Sequence, residues 1–225
     1  MRTIFFLFAL LPALNFVNLN STETSKKMLP KTTENQVSTA SASCALQLED
    51  YTLKINNYSA VIEEQTTRGD TIYLTEALDA SQNIAGECLL EVLGTKNTLV
   101  SIEQSFKTSL FISEDGPYVC LENWKHHTAP WKKLEQQGGK FQTLPYQDAD
   151  RSQFPNVPLA EFKTYVQQTY GDRWYEVIKD NTVVAENGSY PTFVDITQHL
   201  FRVTIQKLNG AVLERVLVID IPVGC

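Results

Sequence analysis

An Asn-Gly dipeptide between two runs of β-forming residues constrains this chain more than any other feature. Residues 200–208 and 211–221 are rich in Val, Ile, Leu and Thr, and Asn209-Gly210 lies between them. Asn and Gly tolerate the positive φ angles that both central residues of a type I′ turn require. The pattern therefore predicts an antiparallel hairpin with a two-residue turn.

A two-residue turn would also fix which side chains share a face, because side chains alternate along a strand. Val203 would face Val216, and Phe201 would face Val218. The opposite face would mix polar and apolar side chains, namely Arg202, Thr204, Gln206, Leu217 and Ile219. We therefore expect this sheet to be covered on both sides.

Short alternating runs continue the β pattern through residues 45–121, with turn-forming residues between them. One amphipathic helix follows, for which Pro158 suits the first turn and Gly171 the end. Further strands are predicted at 173–178 and 182–185. We expect a mainly β fold with one amphipathic helix, in which antiparallel sheets form a sandwich-like structure, as one unit or as two small β-rich units.

The first 19 residues have the composition of a secretory signal peptide, with Arg2 before an apolar run over residues 4–14. This run is too short to span a bilayer comfortably. Residues 20–43 are dense in Ser and Thr, so they bury too little surface to offset the entropy of ordering. We expect a secreted, cell-surface or periplasmic protein with a flexible leader and no membrane span in the mature chain; the alternative is an uncleaved N-terminal anchor.

Beyond the leader, the sequence pattern divides the chain into three parts. Residues 44–121 form an N-terminal β-rich unit, and residues 122–157 form a long irregular connection rich in aromatic residues, glycine and proline. Residues 158–225 combine the helix with antiparallel strands. This last unit has an immunoglobulin-like appearance, but any two-sided antiparallel sheet gives that pattern, so no family is inferred.

Four cysteines fit an exported chain that keeps disulfide bonds. We favour pairing Cys88 with Cys120, because both lie in strand-like runs that a meander would bring together. Cys44 with Cys225 would then join the start of the folded chain to its end. No Cys-x-x-Cys spacing is present, so a metal site is disfavoured. We expect no metal and no cofactor.

The net charge of -7 argues against nucleic-acid binding, which needs a basic surface to displace counterions from phosphates. It argues equally against an electrostatic attachment to an anionic membrane. A protein or a carbohydrate is the partner that this composition leaves open.

Aromatic and histidine side chains in the irregular connection are the candidate ligand-binding residues. Trp124 and Trp131, with Tyr118, Phe141 and Tyr146, could form a stacking platform for a sugar or a peptide. The alternative is that they fill the core beneath a long loop. His126-His127 could bind a metal or act as a general base, but adjacent residues on a strand point to opposite faces. No third ligand stands at a suitable spacing.

No motif for nucleophilic catalysis or phosphate binding is present, so no catalytic residue is nominated. The leading hypothesis is a non-enzymatic, disulfide-stabilised binding protein. A second hypothesis is a secreted hydrolase that joins His126 or His127 to Asp148 or Asp150. A third is an inhibitor or immunity-type protein that inserts the 122–157 connection into the cleft of another protein.

Overall fold

The computed structural model of the chain describes residues 43–58, 60–76, 84, 86–94, 96, 98–114, 118–121, 123–185 and 191–221. The predicted signal peptide, the predicted leader up to residue 42 and Cys225 lie outside these residues.

The described residues form strands and two helices. In chain order they are β1 (Ser43–Leu48), β2 (Tyr51–Asn56), β3 (Ile62–Arg68), β4 (Thr71–Glu76), β5 (Leu89–Leu93), β6 (Thr98–Ser113), β7 (Tyr118–Cys120), β8 (His126–Thr128), β9 (Lys132–Lys133), β10 (Gln136–Gln137), β11 (Lys140–Gln142), α1 (Asp148–Arg151), α2 (Leu159–Ile178), β12 (Thr192–Lys207) and β13 (Val212–Asp220). Neither helix is long and apolar enough to cross a membrane.

Two sheets organise these strands, which confirms the predicted mainly β, sandwich-like fold. The first sheet has the order β1-β2-β5-β11-β10, and the second has the order β3-β4-β13-β12-β6-β7, with β8 and β9 also pairing with β6. Adjacent strands are antiparallel except β4 and β13, which are parallel. Because β12 pairs with β6, strands from both predicted units belong to one sheet.

The predicted irregular connection, residues 122–157, contributes to both sheets. Its first part adds β8 and β9 to the second sheet, and its next part adds β10 and β11 to the first. The segment therefore crosses from one layer to the other, and the sheets do not divide into separate N-terminal and C-terminal units.

The hairpin between β12 and β13 forms as predicted, but its loop has three residues instead of two. The Lys207 amide donates to the Ala211 carbonyl at 2.8 Å, and the Gly210 amide donates to the Lys207 carbonyl at 2.9 Å. Gly210 has a φ of 84°, so the loop is a type I turn closed by a left-handed glycine. Phe201 consequently pairs with Leu217.

This shift of one residue reverses the two faces of β13 relative to the prediction. Leu217 and Ile219, which the two-residue turn placed opposite the Phe201 face, are buried on that same face. Val216 and Val218 take the other face. The predicted register was wrong because Leu208 belongs to the loop and not to the strand.

Helix α2 continues past Gly171, where the sequence predicts its end. Gly171 does leave helical geometry, with φ 81° and ψ −177°, but a second helical segment follows to Ile178. The predicted strand at 173–178 is therefore wrong. Trp174, Val177 and Ile178 follow helical spacing, and all three pack in one cluster. Residues 182–185 form no strand either.

The first core lies between the two sheets. Leu53 and Leu90 of the first sheet pack in one cluster with Ile102 and Phe201 of the second. A second core lies where α2 covers the other half of β6 and β12, with Phe162 packing in one cluster with Leu110 and Val194, among other residues. Burial of these apolar side chains supplies the main stabilisation of both layers.

Gln104 anchors the chain that passes between the two cores. Its side-chain amide donates to the Leu144 carbonyl at 3.3 Å, and its carbonyl oxygen accepts from the Leu144 amide at 2.7 Å. Because Gln104 is buried on β6, water cannot replace its hydrogen bonds to the Leu144 backbone if the side chain is removed.

We expect Gln104→Leu to lower the free energy of unfolding by about 2–3 kcal/mol, because both backbone groups of Leu144 lose their partner. Urea denaturation measures this loss. Gln65→Leu, at an exposed position of β3, is the matched control and should change stability by less than about 0.5 kcal/mol. Equal losses in the two variants would contradict the anchoring role.

Candidate functional site

A cleft of about 520 Å³ opens beside the second core. Leu110 of β6 and Val194 of β12 contribute to its lining from the sheet. Arg151 at the end of α1, Leu159 at the start of α2 and residues 152 and 154–158 between them line one side, and the segment after α2 supplies residues 182–185. This size is typical of pockets that take small molecules.

The connection between the two helices is held extended by its own sequence. Pro155 and Pro158 fix their φ angles and restrict the residues before them to extended conformations. Val157, between them, is buried in the second core. The Pro158 carbonyl accepts the Phe162 amide at 3.0 Å, so this wall of the cleft leads directly into α2.

The segment after α2 is anchored at Asn181. The Asn181 side-chain amide donates to the Thr192 hydroxyl at 3.1 Å, and the Lys163 amine donates to the Asn181 carbonyl at 2.9 Å. Val184 packs against the second core, whereas Val183 is exposed. The cleft therefore has walls that are fixed to the scaffold on both sides.

Arg151 is the charged residue among the described lining residues of the cleft. Its guanidinium donates to the Asp148 carboxylate at 2.9 Å and stacks over the Tyr146 ring, with 5.2 Å between the guanidinium carbon and the ring centroid. Asp148 is exposed, so this ion pair is screened by solvent and is easily exchanged. The Arg151 side chain is itself 31% exposed, so it remains partly accessible from solvent.

An uncharged aromatic group lies next to Arg151. The rings of Tyr146 and His199 both pack edge-on against Phe106, with centroid distances of 5.5 and 5.6 Å. Burial raises the pKa of Tyr146 and lowers the pKa of His199 to about 3. Both side chains are therefore neutral at physiological pH.

This environment does not favour acid–base catalysis by His199. A general base works best when its pKa lies near the operating pH, and His199 is far below it. Within the described part of the chain, no group of three or more His, Cys, Asp or Glu side chains could hold a metal ion.

The two predicted tryptophans do not share a platform. Trp124 stacks on Tyr165 of α2, with ring centroids 4.5 Å apart and an interplanar angle of 8°. Trp131 lies beneath Arg202, whose guanidinium carbon is 4.8 Å from the ring centroid and whose side chain also pairs with Glu103. Each ring therefore has its own partner from the scaffold.

The two histidines lie on β8 and face opposite sides of the sheet. His126 pairs with Ser109, and His127 pairs with Thr108. Neither lines the cleft that Arg151 lines. Tyr146 is the member of the predicted set that lies beside this cleft, through its contact with Arg151.

The two acids of the hydrolase hypothesis form ion pairs elsewhere. Asp150 is buried and accepts from the Lys132 amine at 2.7 Å and from the Gln147 amide at 3.1 Å. Asp148 pairs with Arg151. The structure gives neither carboxylate a hydrogen bond to His126 or His127.

Cys44, Cys88 and Cys120 are not joined to one another. Cys44 and Cys88 pack in the first core, whereas Cys120 pairs with Phe111 at the far end of β6. Burial raises the pKa of Cys88 to about 11, which keeps its thiol protonated. The described structure does not show the favoured Cys88–Cys120 disulfide, and the Cys44–Cys225 pairing stays a prediction because Cys225 lies outside the described residues.

Tyr58 and Glu76 form a buried polar pair at the end of β4. The Tyr58 hydroxyl donates to one carboxylate oxygen of Glu76 at 2.6 Å, and both side chains are almost fully buried. The other oxygen of Glu76 has no hydrogen-bond partner in the described structure. Burial raises the pKa of Glu76, so ionisation of this group opposes folding.

Comparisons with protein-family models, characterised proteins and solved structures give no match for this chain. The function must therefore be inferred from the arrangement of its own residues. The sequence pattern missed the cleft because its walls come from segments that were interpreted as irregular or as strand. The run Phe154-Pro-Asn-Val-Pro158, apolar but interrupted by two prolines, was the available signal.

We expect His199 to make the protein less stable in acid. Its folded pKa of about 3 lies below its ordinary value of 6.5, so its contribution is complete above pH 6.5 and is lost as the pH falls toward 3. His199→Leu should remove about 4–5 kcal/mol of this loss between pH 7 and pH 3. Urea denaturation of both proteins across this range measures the difference; parallel pH profiles would contradict the assignment.

Glu76 should have the opposite effect on stability. Its folded pKa is raised, so the native protein is favoured below its ordinary value near 4.5 and loses stability as the pH rises through the folded pKa. Glu76→Gln, which keeps an acceptor for Tyr58, should be more stable than the natural protein at neutral pH and lose that advantage at pH 4. Thermal unfolding at the two pH values tests this, and an advantage independent of pH would exclude it.

Proposed function

We propose that this chain is an exported, non-enzymatic binding protein. Its ligand would occupy the cleft lined by Arg151 and be a largely apolar molecule with one carboxylate. The cleft itself, whose lining is more apolar than polar and includes one cation, is the observation that carries the proposal. Support for export comes from the composition of residues 1–19.

The lining chemistry sets the ligand class. Leu110, Val194, Phe154 and Val184 offer apolar surface, which favours a hydrocarbon or an aromatic body. Arg151 offers donors that match a carboxylate in a bidentate geometry. Because the neighbouring Tyr146 and His199 are neutral, Arg151 is the group that attracts the carboxylate of the ligand.

The proposal keeps the binding function that the sequence suggests and changes its location. Trp124 and Trp131 have contacts with the scaffold, and the cleft lies beside Tyr146. The anchored walls support a preformed site, because a site that is already ordered loses less entropy when the ligand binds.

Decanoate and decanol are suitable probes, because they share the apolar chain and differ in charge. We expect the natural protein to bind decanoate more tightly than decanol in isothermal titration calorimetry. Arg151→Gln should weaken decanoate binding by about 10–100-fold, the value of a charged hydrogen bond, and leave decanol binding unchanged. Equal weakening for both probes would show that Arg151 acts on the fold and not on the carboxylate.

A blocking variant tests the location. Val183→Trp should place a large uncharged side chain at the cleft and abolish binding of both probes, because Val183 is an exposed lining residue. Val61→Trp, at an exposed position before β3, is the matched control and should bind normally. Unchanged binding by Val183→Trp would place the ligand elsewhere.

A further inference from the structure

Three exposed aliphatic side chains gather at the end of the second sheet that carries the β12–β13 loop. Leu99 is 73% exposed, Leu208 is 82% exposed and Val212 is 60% exposed. Gln206 pairs with Leu99 on one side and with Val212 on the other, so Leu99 and Val212 lie on the same face of the sheet with the exposed Gln206 side chain between them. Leu208 follows in the loop. We call these three aliphatic residues the apolar tip.

The apolar tip is a concentrated feature and not a scatter of surface residues. The described structure has two further large hydrophobic side chains with comparable exposure, Val61 and Val183, and neither belongs to the apolar tip. The next row of the same strands is polar, since it consists of Ser101, Thr204 and Glu214. An apolar cluster with a polar border marks an interaction surface.

The shape of the tip favours a deformable partner. Leu208 protrudes from a loop, and Leu99 and Val212 flank the strand that leads into it, so the cluster is not a groove. Three aliphatic side chains offer roughly half of the 800 Å² that each partner contributes to a standard protein interface. A lipid bilayer needs no pocket, because side chains enter its interfacial region directly.

The charges at this end of the molecule favour a neutral bilayer. Arg215 pairs with Glu49 at 2.5 Å and with Asp70 at 2.7 Å, and Lys207 pairs with Asp50 at 3.7 Å. These cations are already matched by acids. Lys96, three residues before Leu99, is exposed, but the net charge of -7 opposes binding of the chain to anionic lipid.

We propose that the apolar tip inserts into the interface of a zwitterionic lipid bilayer and makes a reversible peripheral contact. Burial of Leu99, Leu208 and Val212 in the bilayer stabilises the contact, which does not require anionic headgroups. It is separate from the ligand cleft and does not depend on the proposed binding function.

Flotation with phosphatidylcholine vesicles tests the proposal, using the mature protein recovered from the secreted fraction. The natural protein should float with the vesicles, and added phosphatidylserine should not increase the bound fraction. The double variant Leu208→Ser, Val212→Ser should lower the partition coefficient at least about tenfold, because two aliphatic side chains no longer enter the bilayer. Val61→Ser is the matched control and should float like the natural protein.

A tryptophan variant separates insertion from loose adsorption. Leu208→Trp should float at least as well as the natural protein, and its fluorescence should shift to shorter wavelength when vesicles are added. Circular dichroism of each variant checks that the fold is kept.

Four results would overturn the proposal. They are absence of flotation by the natural protein, equal flotation by the double variant, binding that appears only with phosphatidylserine, and no spectral shift for Leu208→Trp. Sedimentation tests whether a second copy of the chain binds the tip instead. If the natural protein is a dimer, the double variant is a monomer and neither floats, the tip is a dimer contact and not a lipid contact.

Discussion

The pairing of β6 with β12 is the interaction on which the rest of the structure depends. Both strands have 16 residues and pair over nearly their whole length, which is far longer than the five or six residues of an ordinary strand. One short sheet cannot cover so long a pair. The chain therefore covers one half with the first sheet and the other half with α2, which produces the two cores.

A bulge in β12 makes the double cover possible. The register between β12 and β6 shifts between Ile196 and Gln198, and Thr197 is the extra residue. Before the bulge Val194 faces the core, and after it Phe201 does, although these positions have opposite parity in the sequence. Without the shift, one of the two sets would face outward. The Thr197 hydroxyl donates to the Lys107 carbonyl, and the Thr197 carbonyl accepts the Ile221 amide, which hold the bulge in place.

Local signals in the sequence predicted elements well where one residue type dominates the geometry. Asn209-Gly210 located the β12–β13 hairpin, and Gly171 located the break in α2. Those signals did not determine the length of the loop or of the helix, which depend on tertiary contacts. The loop includes Leu208 as a third residue. The helix continues after Gly171 because Trp174 and its neighbours pack in the second core. Nor did the local signals determine how the aromatic residues group. Trp124 stacks on Tyr165 of α2, whereas Trp131 lies beneath Arg202, so the two rings have different neighbours, and their role in ligand binding stays a prediction.

The cleft and the apolar tip lie at opposite ends of this long strand pair. Leu110 lines the cleft and Leu99 belongs to the tip, and the two lie 11 positions apart on one strand, which corresponds to roughly 35 Å at about 3.3 Å per residue. A protein whose tip is in a bilayer would therefore hold its cleft well outside the headgroup region. Under the two proposals taken together, the ligand would arrive from solution, and the lipid contact would set where the protein resides without supplying what it binds. The rigidity of the β6–β12 pair, which is hydrogen-bonded along its length, is what would keep the two sites apart.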